Sequence, residues 1–180
     1  DGFQTVAFSY IGPEVTHPIY RSGTIGKAKE HLEATARSMN SRLQQNGGSA
    51  YVSINKAVVT RASAVIPAVP LYISLLFSVM KENQLHEGCI EQIVRMYRNR
   101  LYTGGEVPTD SEDRIRLDDF EMQPEIQAEV ARRWETVTEE NLNDLADMQG
   151  FRNDFLRIHG FDVPGINYEQ DVALGDIPEL

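Results

Sequence analysis

The apolar residues of this chain follow two different periods in its first half. Residues 4–11 alternate in the β-prone stretch "QTVAFSYI", which predicts a strand that ends at Gly12-Pro13. Over residues 24–45 the apolar side chains recur at steps of three and four, and Gly47-Gly48 follows. That spacing predicts one long amphipathic helix after the strand.

The middle of the chain repeats this order. The stretch "SAYVSINKAVVT", residues 49–60, is rich in β-branched residues and predicts a second strand. A proline-containing apolar run follows and predicts a buried helix over residues 71–83. A further helix is predicted over residues 87–101, and it places on one face the side chains of Ile90, Ile93, Val94 and Tyr97. Strand, long helix, strand and helices in this order are typical of an α/β fold with a parallel sheet.

The stretch "YTGGEVPTDSEDR" marks a boundary, because glycine, proline and charged residues replace the apolar periodicity there. We therefore predict an α/β portion over residues 1–101, a linker over residues 102–116 and an acidic helical module over residues 117–180. Within the module, Pro124 suits the first position of a helix.

The net charge of -10 is distributed unevenly. Residues 1–100 are net positive, and the excess of acidic residues lies in residues 101–180. An acidic half repels nucleic acid, so we expect no nucleic-acid partner, and any phosphate-bearing ligand should meet the first half. A solvated acidic surface that keeps the protein in solution is the alternative explanation.

Several features bear on where the protein works. The single cysteine, Cys89, allows no internal disulfide and fits a reducing compartment. The longest apolar run contains Pro67 and Pro70 and falls short of the about 20 uninterrupted apolar residues of a membrane span. With no export leader among these residues, we expect a cytoplasmic protein without a membrane partner. Because the chain enters a strand pattern at once, without a methionine, we also expect that a segment precedes it.

Most chemical motifs are missing from the sequence. The histidines lack metal-ligand spacing, so no metal site is expected, and neither a glycine-rich dinucleotide loop nor a nucleophile elbow is present. Tyr20 and Lys29 remain, just before and just inside the predicted long helix. A lysine beside a tyrosine lowers the pKa of the phenol, which then donates a hydrogen bond to a carbonyl oxygen on which charge develops. On spacing alone, a packed tyrosine and a surface lysine remain the commoner situation.

Three longer stretches carry a resemblance to a known family: "SYIGPEVTHPIYRSGTIGKAKE", "SINKAVVTRASAVIPAVPLYISLLFSVM" and "DDFEMQPEIQAEVARRWET". They closely resemble the trans-2-enoyl-CoA and enoyl-ACP reductases of the FabV type. The resemblance runs along essentially the whole chain, and its signature is a tyrosine and a lysine separated by eight residues, as in Tyr20 and Lys29. It implies the later half of a Rossmann-like parallel sheet, so that residues 1–101 are the catalytic portion of a reductase domain.

The resemblance also implies an activity and a site. It implies NADH-dependent reduction of the 2,3 double bond of an enoyl thioester carried by CoA or acyl carrier protein. Tyr20 matches the catalytic tyrosine, Lys29 the catalytic lysine that also contacts NADH, Tyr10 a second active-site tyrosine and Thr60 a position near the cofactor. The apolar run over residues 65–80 would line the acyl pocket.

The resemblance leaves parts of the function open. Members of the family are longer than this chain, and the glycine-rich dinucleotide loop lies in their N-terminal half, so we expect that a missing N-terminal NAD-binding half is needed. The acidic module resembles one catalogued as FAD-binding, but no flavin motif is visible and we do not expect flavin. The alternatives are another short-chain-type carbonyl reductase, and a non-catalytic piece that associates with its missing half.

Overall fold

The computed structural model describes residues 2–171 of the chain, so residues 172–180 of the predicted acidic module lie outside it. The strands of the described part are β1 (Gln4–Ser9), β2 (Ser49–Ile54) and β3 (Arg114–Arg116). The helices of the described part are α1 (His17–Tyr20), α2 (Thr24–Leu43), α3 (Val69–Glu82), α4 (Cys89–Met96), α5 (Pro124–Thr136), α6 (Leu142–Leu145) and α7 (Met148–Arg157).

The three strands form one parallel sheet in the order β1-β2-β3. Gln4 pairs with Ser49 and Ser9 with Ile54 along β1 and β2, and Ile54 pairs with Arg116 of β3. Parallel neighbours need crossover connections, and α2 provides the first of these while α3 and α4 lie in the second. The α/β class with helical crossovers between parallel strands is thus confirmed.

Helices cover both faces of the sheet. Side chains alternate between the two faces of a strand, so Val52 and Ile54 of β2 pack against α2, while Tyr51 packs on the opposite face with Met96 of α4. The predicted long helix is confirmed as α2, which begins at Thr24 as expected.

The largest hydrophobic cluster surrounds α3 rather than the sheet. Leu75, Leu76 and Phe77 of this helix are fully buried. Ile126 and Val130 of α5 belong to the same cluster, so the C-terminal helices pack directly on α3. Pro124 is the first residue of α5, as its fixed φ predicts.

Two features of the structure differ from the simple sequence pattern. Residues 102–116 were predicted as a linker, yet their last three form β3, because a three-residue strand is too short to show periodicity. Part of the predicted apolar face of α4 also points outward: Ile90 is 69% exposed, while Gln92 and Met96 of the same helix are buried. The division of the chain into domains stays a prediction.

Candidate active site

A cavity of about 490 Å³ opens where β1 and β2 reach their carboxyl ends. In open parallel sheets this edge is the usual place for ligands, because the connections there leave a crevice. All the site residues predicted from the sequence line this cavity: Tyr10, Tyr20, Lys29 and Thr60. The structure thus brings them together, and their chemical roles stay predictions.

Tyr20 reaches Lys29 because α1 ends directly before α2 begins. Tyr20 is the last residue of α1, and Lys29 lies in the second turn of α2. The Nζ atom of Lys29 is 5.7 Å from the centroid of the Tyr20 ring. Gly26 makes this approach possible, because a Cβ atom at this position would overlap the carbonyl group of Arg21.

Lys29 is a cation without a carboxylate partner among residues 2–171. Its Nζ atom donates a hydrogen bond to Oγ of Ser9, 3.1 Å away at the end of β1. Burial lowers the pKa of Lys29, and the negative charge of Glu33 opposes that change. An ammonium group left free at a cavity wall can bind hydroxyl or phosphate oxygens of a ligand.

The structure does not bear out the expected lowering of the Tyr20 pKa by Lys29. Burial raises the pKa of Tyr20, and the negative charge of Glu121 raises it further. The expectation was wrong because it considered the neighbouring lysine alone, without desolvation or a distant carboxylate. The Tyr20 hydroxyl is therefore kept protonated and able to donate a hydrogen bond.

Tyr10 lies beside Tyr20, but the proton of its hydroxyl already takes part in a hydrogen bond. Its hydroxyl donates a hydrogen bond to Oε1 of Glu121, 2.8 Å away. The two tyrosine rings meet edge to face with their centroids 4.8 Å apart. A phenol has one proton to donate, so in this arrangement the Tyr10 hydroxyl has no proton left for a ligand.

Two buried ionisable residues were missed by the sequence reasoning: Lys56, which lines the cavity, and Glu121, which lies behind it. Glu121 is 0% exposed and Lys56 is 1% exposed. Burial lowers the pKa of Lys56 to about 8, although the charge of Glu121 opposes the change. The one available signal was a lysine inside the apolar stretch "INKAVV", since a charged residue there must be buried with a partner.

The rest of the cavity wall is mostly apolar. Thr60 lies in the loop after β2, where its side-chain oxygen accepts a hydrogen bond from the backbone of Ser63 at 3.1 Å. Ile66, Val69 and Ile73 come from the proline-containing apolar run and supply one wall. The cavity therefore combines polar side chains, among them Tyr20 and Lys29, with an apolar surface suited to a hydrocarbon group.

Comparison with known proteins identifies the family. Residues 1–102 match the family model described as "Trans-2-enoyl-CoA reductase catalytic region". The chain belongs to the trans-2-enoyl-CoA reductase family. Residues 109–172 match a second model, described as "Enoyl reductase FAD binding domain".

Curated members of the trans-2-enoyl-CoA reductase family match nearly the whole chain. The protein named trans-2-enoyl-CoA reductase [NADH] of Brachyspira hyodysenteriae is 58% identical over 170 residues, which are 94% of this chain. The enoyl-[acyl-carrier-protein] reductase [NADH] of Flavobacterium johnsoniae is 55% identical over 171 residues, or 95% of this chain. In both cases the match covers 43% of the relative, so the chain spans less than half the length of these proteins.

A solved structure of the same family has the same fold. The trans-2-enoyl-CoA reductase of Treponema denticola, in complex with NAD, aligns with a TM-score of 0.87 and 56% sequence identity. The alignment covers 94% of this chain and 42% of that one. The described part is therefore a portion of a Rossmann-like reductase fold.

The described residues of the second matched region do not fit a flavin. None of its side chains lines the 490 Å³ cavity. Its buried charged groups are already paired: Asp118 with Arg116, Glu121 with two tyrosines, and Arg133 with Glu82. The side-chain atoms left buried without a partner in residues 2–171 lie before this region, on Glu33, Ser49 and His86. Between residues 109 and 171, no buried polar side-chain atom is therefore left unpaired for an isoalloxazine ring.

Neither a cluster of metal ligands nor a membrane-spanning helix is found among residues 2–171. No three side chains of the metal-binding types come together there as a site for an ion. Likewise, the helices of this part of the chain are too short or too polar to span a bilayer.

Proposed function

We propose that this chain carries the catalytic tyrosine and lysine of a cytoplasmic, NADH-dependent reductase of trans-2-enoyl thioesters, with CoA or acyl carrier protein as the carrier. The observation that carries the proposal is the meeting of Tyr20 and Lys29 at one wall of a largely apolar cavity. The names of the relatives support the same reaction and the same cofactor.

The cavity has the groups that such a reaction needs. NADH, when bound, supplies the hydride that is added to C3 of the enoyl thioester. Lys29 would hold the cofactor through its ribose hydroxyls, because its ammonium group faces the cavity without an acidic partner among the described residues. Thr60 lies on the same wall and would contact the cofactor as well.

Tyr20 is the group that stabilises the charge which develops on the substrate. The thioester oxygen becomes negative as the double bond is reduced, and a fixed hydroxyl aimed at it lowers the barrier. Because burial and the charge of Glu121 raise the pKa of Tyr20, its hydroxyl carries its proton at neutral pH. C2 then receives a proton from Tyr20 or from water.

The apolar wall would hold the acyl chain. Ile66, Val69 and Ile73 line the cavity within and next to α3. Burying the hydrocarbon there removes it from water, and each buried methylene contributes about 0.8 kcal/mol. The wall therefore favours an acyl thioester over a small polar ketone.

The complete enzyme needs a further region, which we propose is an N-terminal NAD-binding half. Large apolar side chains of the described part face outward in β1 and α4 and directly beside them, where strands and helices of such a half would cover them. These side chains are Phe3, Phe8, Ile90, Val94 and Tyr97. An uncovered sheet edge promotes association, because its backbone groups are free to pair with another chain.

The activity is tested with two substrates on the complete protein. NADH oxidation with crotonyl-CoA should be much faster than with acetoacetyl-CoA, because only the former offers a 2,3 double bond. The reverse order would indicate a carbonyl reductase that uses the same tyrosine and lysine. Turnover of neither substrate would refute the proposal.

The need for the N-terminal half is tested on the 180 residues alone. Light scattering after size exclusion should show self-association, and an NADH titration should show weak binding or none. A monodisperse monomer that oxidises NADH with crotonyl-CoA would contradict this part of the proposal.

A further inference from the structure

Glu121 lies at the centre of a buried hydrogen-bond network behind the cavity. Its Oε1 atom accepts hydrogen bonds from the hydroxyls of Tyr10, at 2.8 Å, and Tyr72, at 2.6 Å. Its Oε2 atom accepts a hydrogen bond from the backbone N–H of Ala57, also at 2.6 Å. A carboxylate accepts such donors at both oxygens, whereas an amide has an oxygen on one side only.

Four elements besides its own segment surround Glu121. Tyr10 follows β1, Tyr20 ends α1, Lys56 follows β2 and Tyr72 lies on α3. These are the titratable groups whose pKa it shifts or that shift its own. Its carboxylate therefore joins segments that are distant in sequence, and all of them border the cavity.

The segment directly before Glu121 is held by contacts with Arg95. Arg95 of α4 donates to the carboxylate of Asp119 at 2.8 Å and to the carbonyl oxygen of Leu117 at 2.7 Å. The guanidinium of the same arginine lies 4.1 Å from the ring centroid of Phe120. These contacts fix residues 117–120, so the position of Glu121 does not depend on the tyrosines alone.

We propose that Glu121 is a positioning residue for Tyr20 and acts through Tyr10. Its carboxylate fixes the Tyr10 hydroxyl, and the Tyr10 ring packs edge to face on the Tyr20 ring. The catalytic importance of this contact rests on the proposed reductase function. The region that matches the FAD-binding model thereby supplies a part of the reductase site.

Glu121→Gln changes this network without a large change in volume. The amide turns its N–H donors either toward the tyrosine hydroxyls, which then lose their acceptor and must reorient, or toward the Ala57 N–H, which then loses its hydrogen bond. Burial raises the pKa of Tyr10 and Tyr20, and the negative charge of Glu121, which raises both further, also disappears. Both tyrosines should therefore ionise at lower pH, and the Tyr20 ring should move more freely.

Asp118→Asn is the matched control. Asp118 is a second buried carboxylate of the same segment, and it bonds to Arg116 at 2.6 and 2.7 Å, away from the cavity. Both substitutions remove one buried negative charge and should lower the melting temperature. They differ in whether the lost carboxylate contacts Tyr10.

The first measurement needs no enzyme activity. In the complete protein labelled with ¹³C at tyrosine Cζ, pH titration follows the hydroxyl of each tyrosine, and Tyr10→Phe and Tyr20→Phe assign the signals. Glu121→Gln should change the Tyr10 signal, because its hydroxyl loses its carboxylate acceptor, and shift the Tyr20 signal, while Asp118→Asn should leave both near wild type. Unchanged Tyr10 and Tyr20 signals in Glu121→Gln would overturn the proposal, whatever reaction the protein catalyses.

The second measurement is turnover of crotonyl-CoA. Glu121→Gln should lower kcat by at least about tenfold, the size expected for a lost hydrogen bond to a charged group, with little change in the KM for NADH. Added to Tyr10→Phe, it should have little further effect, since both changes break one chain of contacts. Action through Tyr10 would be contradicted if the effects of Glu121→Gln and Tyr10→Phe on kcat multiplied fully in the double variant. An equal loss of kcat in Asp118→Asn would contradict it as well. If the wild type reduces no enoyl thioester, the proposed function fails, and the titration alone decides the positioning role.

Discussion

Replacement of Tyr20 by phenylalanine separates catalysis from folding, because the hydroxyl has no hydrogen-bond partner among the described residues. No buried group loses a partner, and the ring keeps its contact with Tyr10. We therefore expect the free energy of unfolding to change by less than about 0.5 kcal/mol. The loss of a fixed donor to the thioester oxygen should lower kcat by about 100-fold or more, or about 2.7 kcal/mol of transition-state stabilisation.

The assay is the initial rate of NADH oxidation with crotonyl-CoA in the complete protein, together with urea unfolding. Tyr51→Phe is the control, since it removes the same hydroxyl from a tyrosine on the sheet that does not line the cavity. It should keep wild-type turnover. Near-normal turnover of Tyr20→Phe, in a protein of unchanged stability, would refute the role assigned to this hydroxyl.

Three further changes test other parts of the structure. Lys29→Met should lower turnover and weaken NADH binding, whereas Lys27→Met, on the exposed side of the same helix, should do neither. Equal NADH dissociation constants in the wild type and in Lys29→Met would contradict the cofactor role. Ile126→Ala should lower the free energy of unfolding in urea by about 2–5 kcal/mol because the side chain is fully buried, while Ile158→Ala, at an exposed position, should lower it far less. Similar losses in the two variants would contradict the packing of α5 on α3. Burial lowers the pKa of Lys56 from 10.5 to about 8. Between pH 8 and pH 10.5 the unfolded state therefore binds more protons than the folded state, and the free energy of unfolding should rise with pH by about 3 kcal/mol. Lys56→Met should flatten that rise, and an unchanged pH dependence would contradict the assignment.

Local patterns were enough to find the elements whose cause is local. The apolar steps of three and four begin at Thr24, and the structure begins α2 at that residue. Pro124 begins α5 because its fixed φ suits the first position of a helix. The same patterns did not find β3, since three residues are held in place by pairing with β2 and not by a period of their own.

Periodicity showed that α4 has an apolar face but not which way it points. Ile90 and Val94 share that face, yet the helix turns Gln92 and Met96 toward the protein. Gln92 is buried because its side-chain oxygen accepts a hydrogen bond from the backbone of Lys56 at 3.0 Å. Hydrophobicity alone ranks glutamine as a surface residue, so only the tertiary contact explains this orientation.

The candidate site also contains residues that the sequence could identify and one that only the folded structure reveals. Tyr20 and Lys29 could be paired from the sequence, because they flank one helix start at a spacing that the family shares. Glu121 could not, because it lies 111 residues from Tyr10 and sits among other acidic residues with no distinguishing pattern. The raised pKa of Tyr20 depends first on burial and then on this long-range neighbour. Both are properties of packing, since desolvation and the approach of distant charges exist only once the chain has folded.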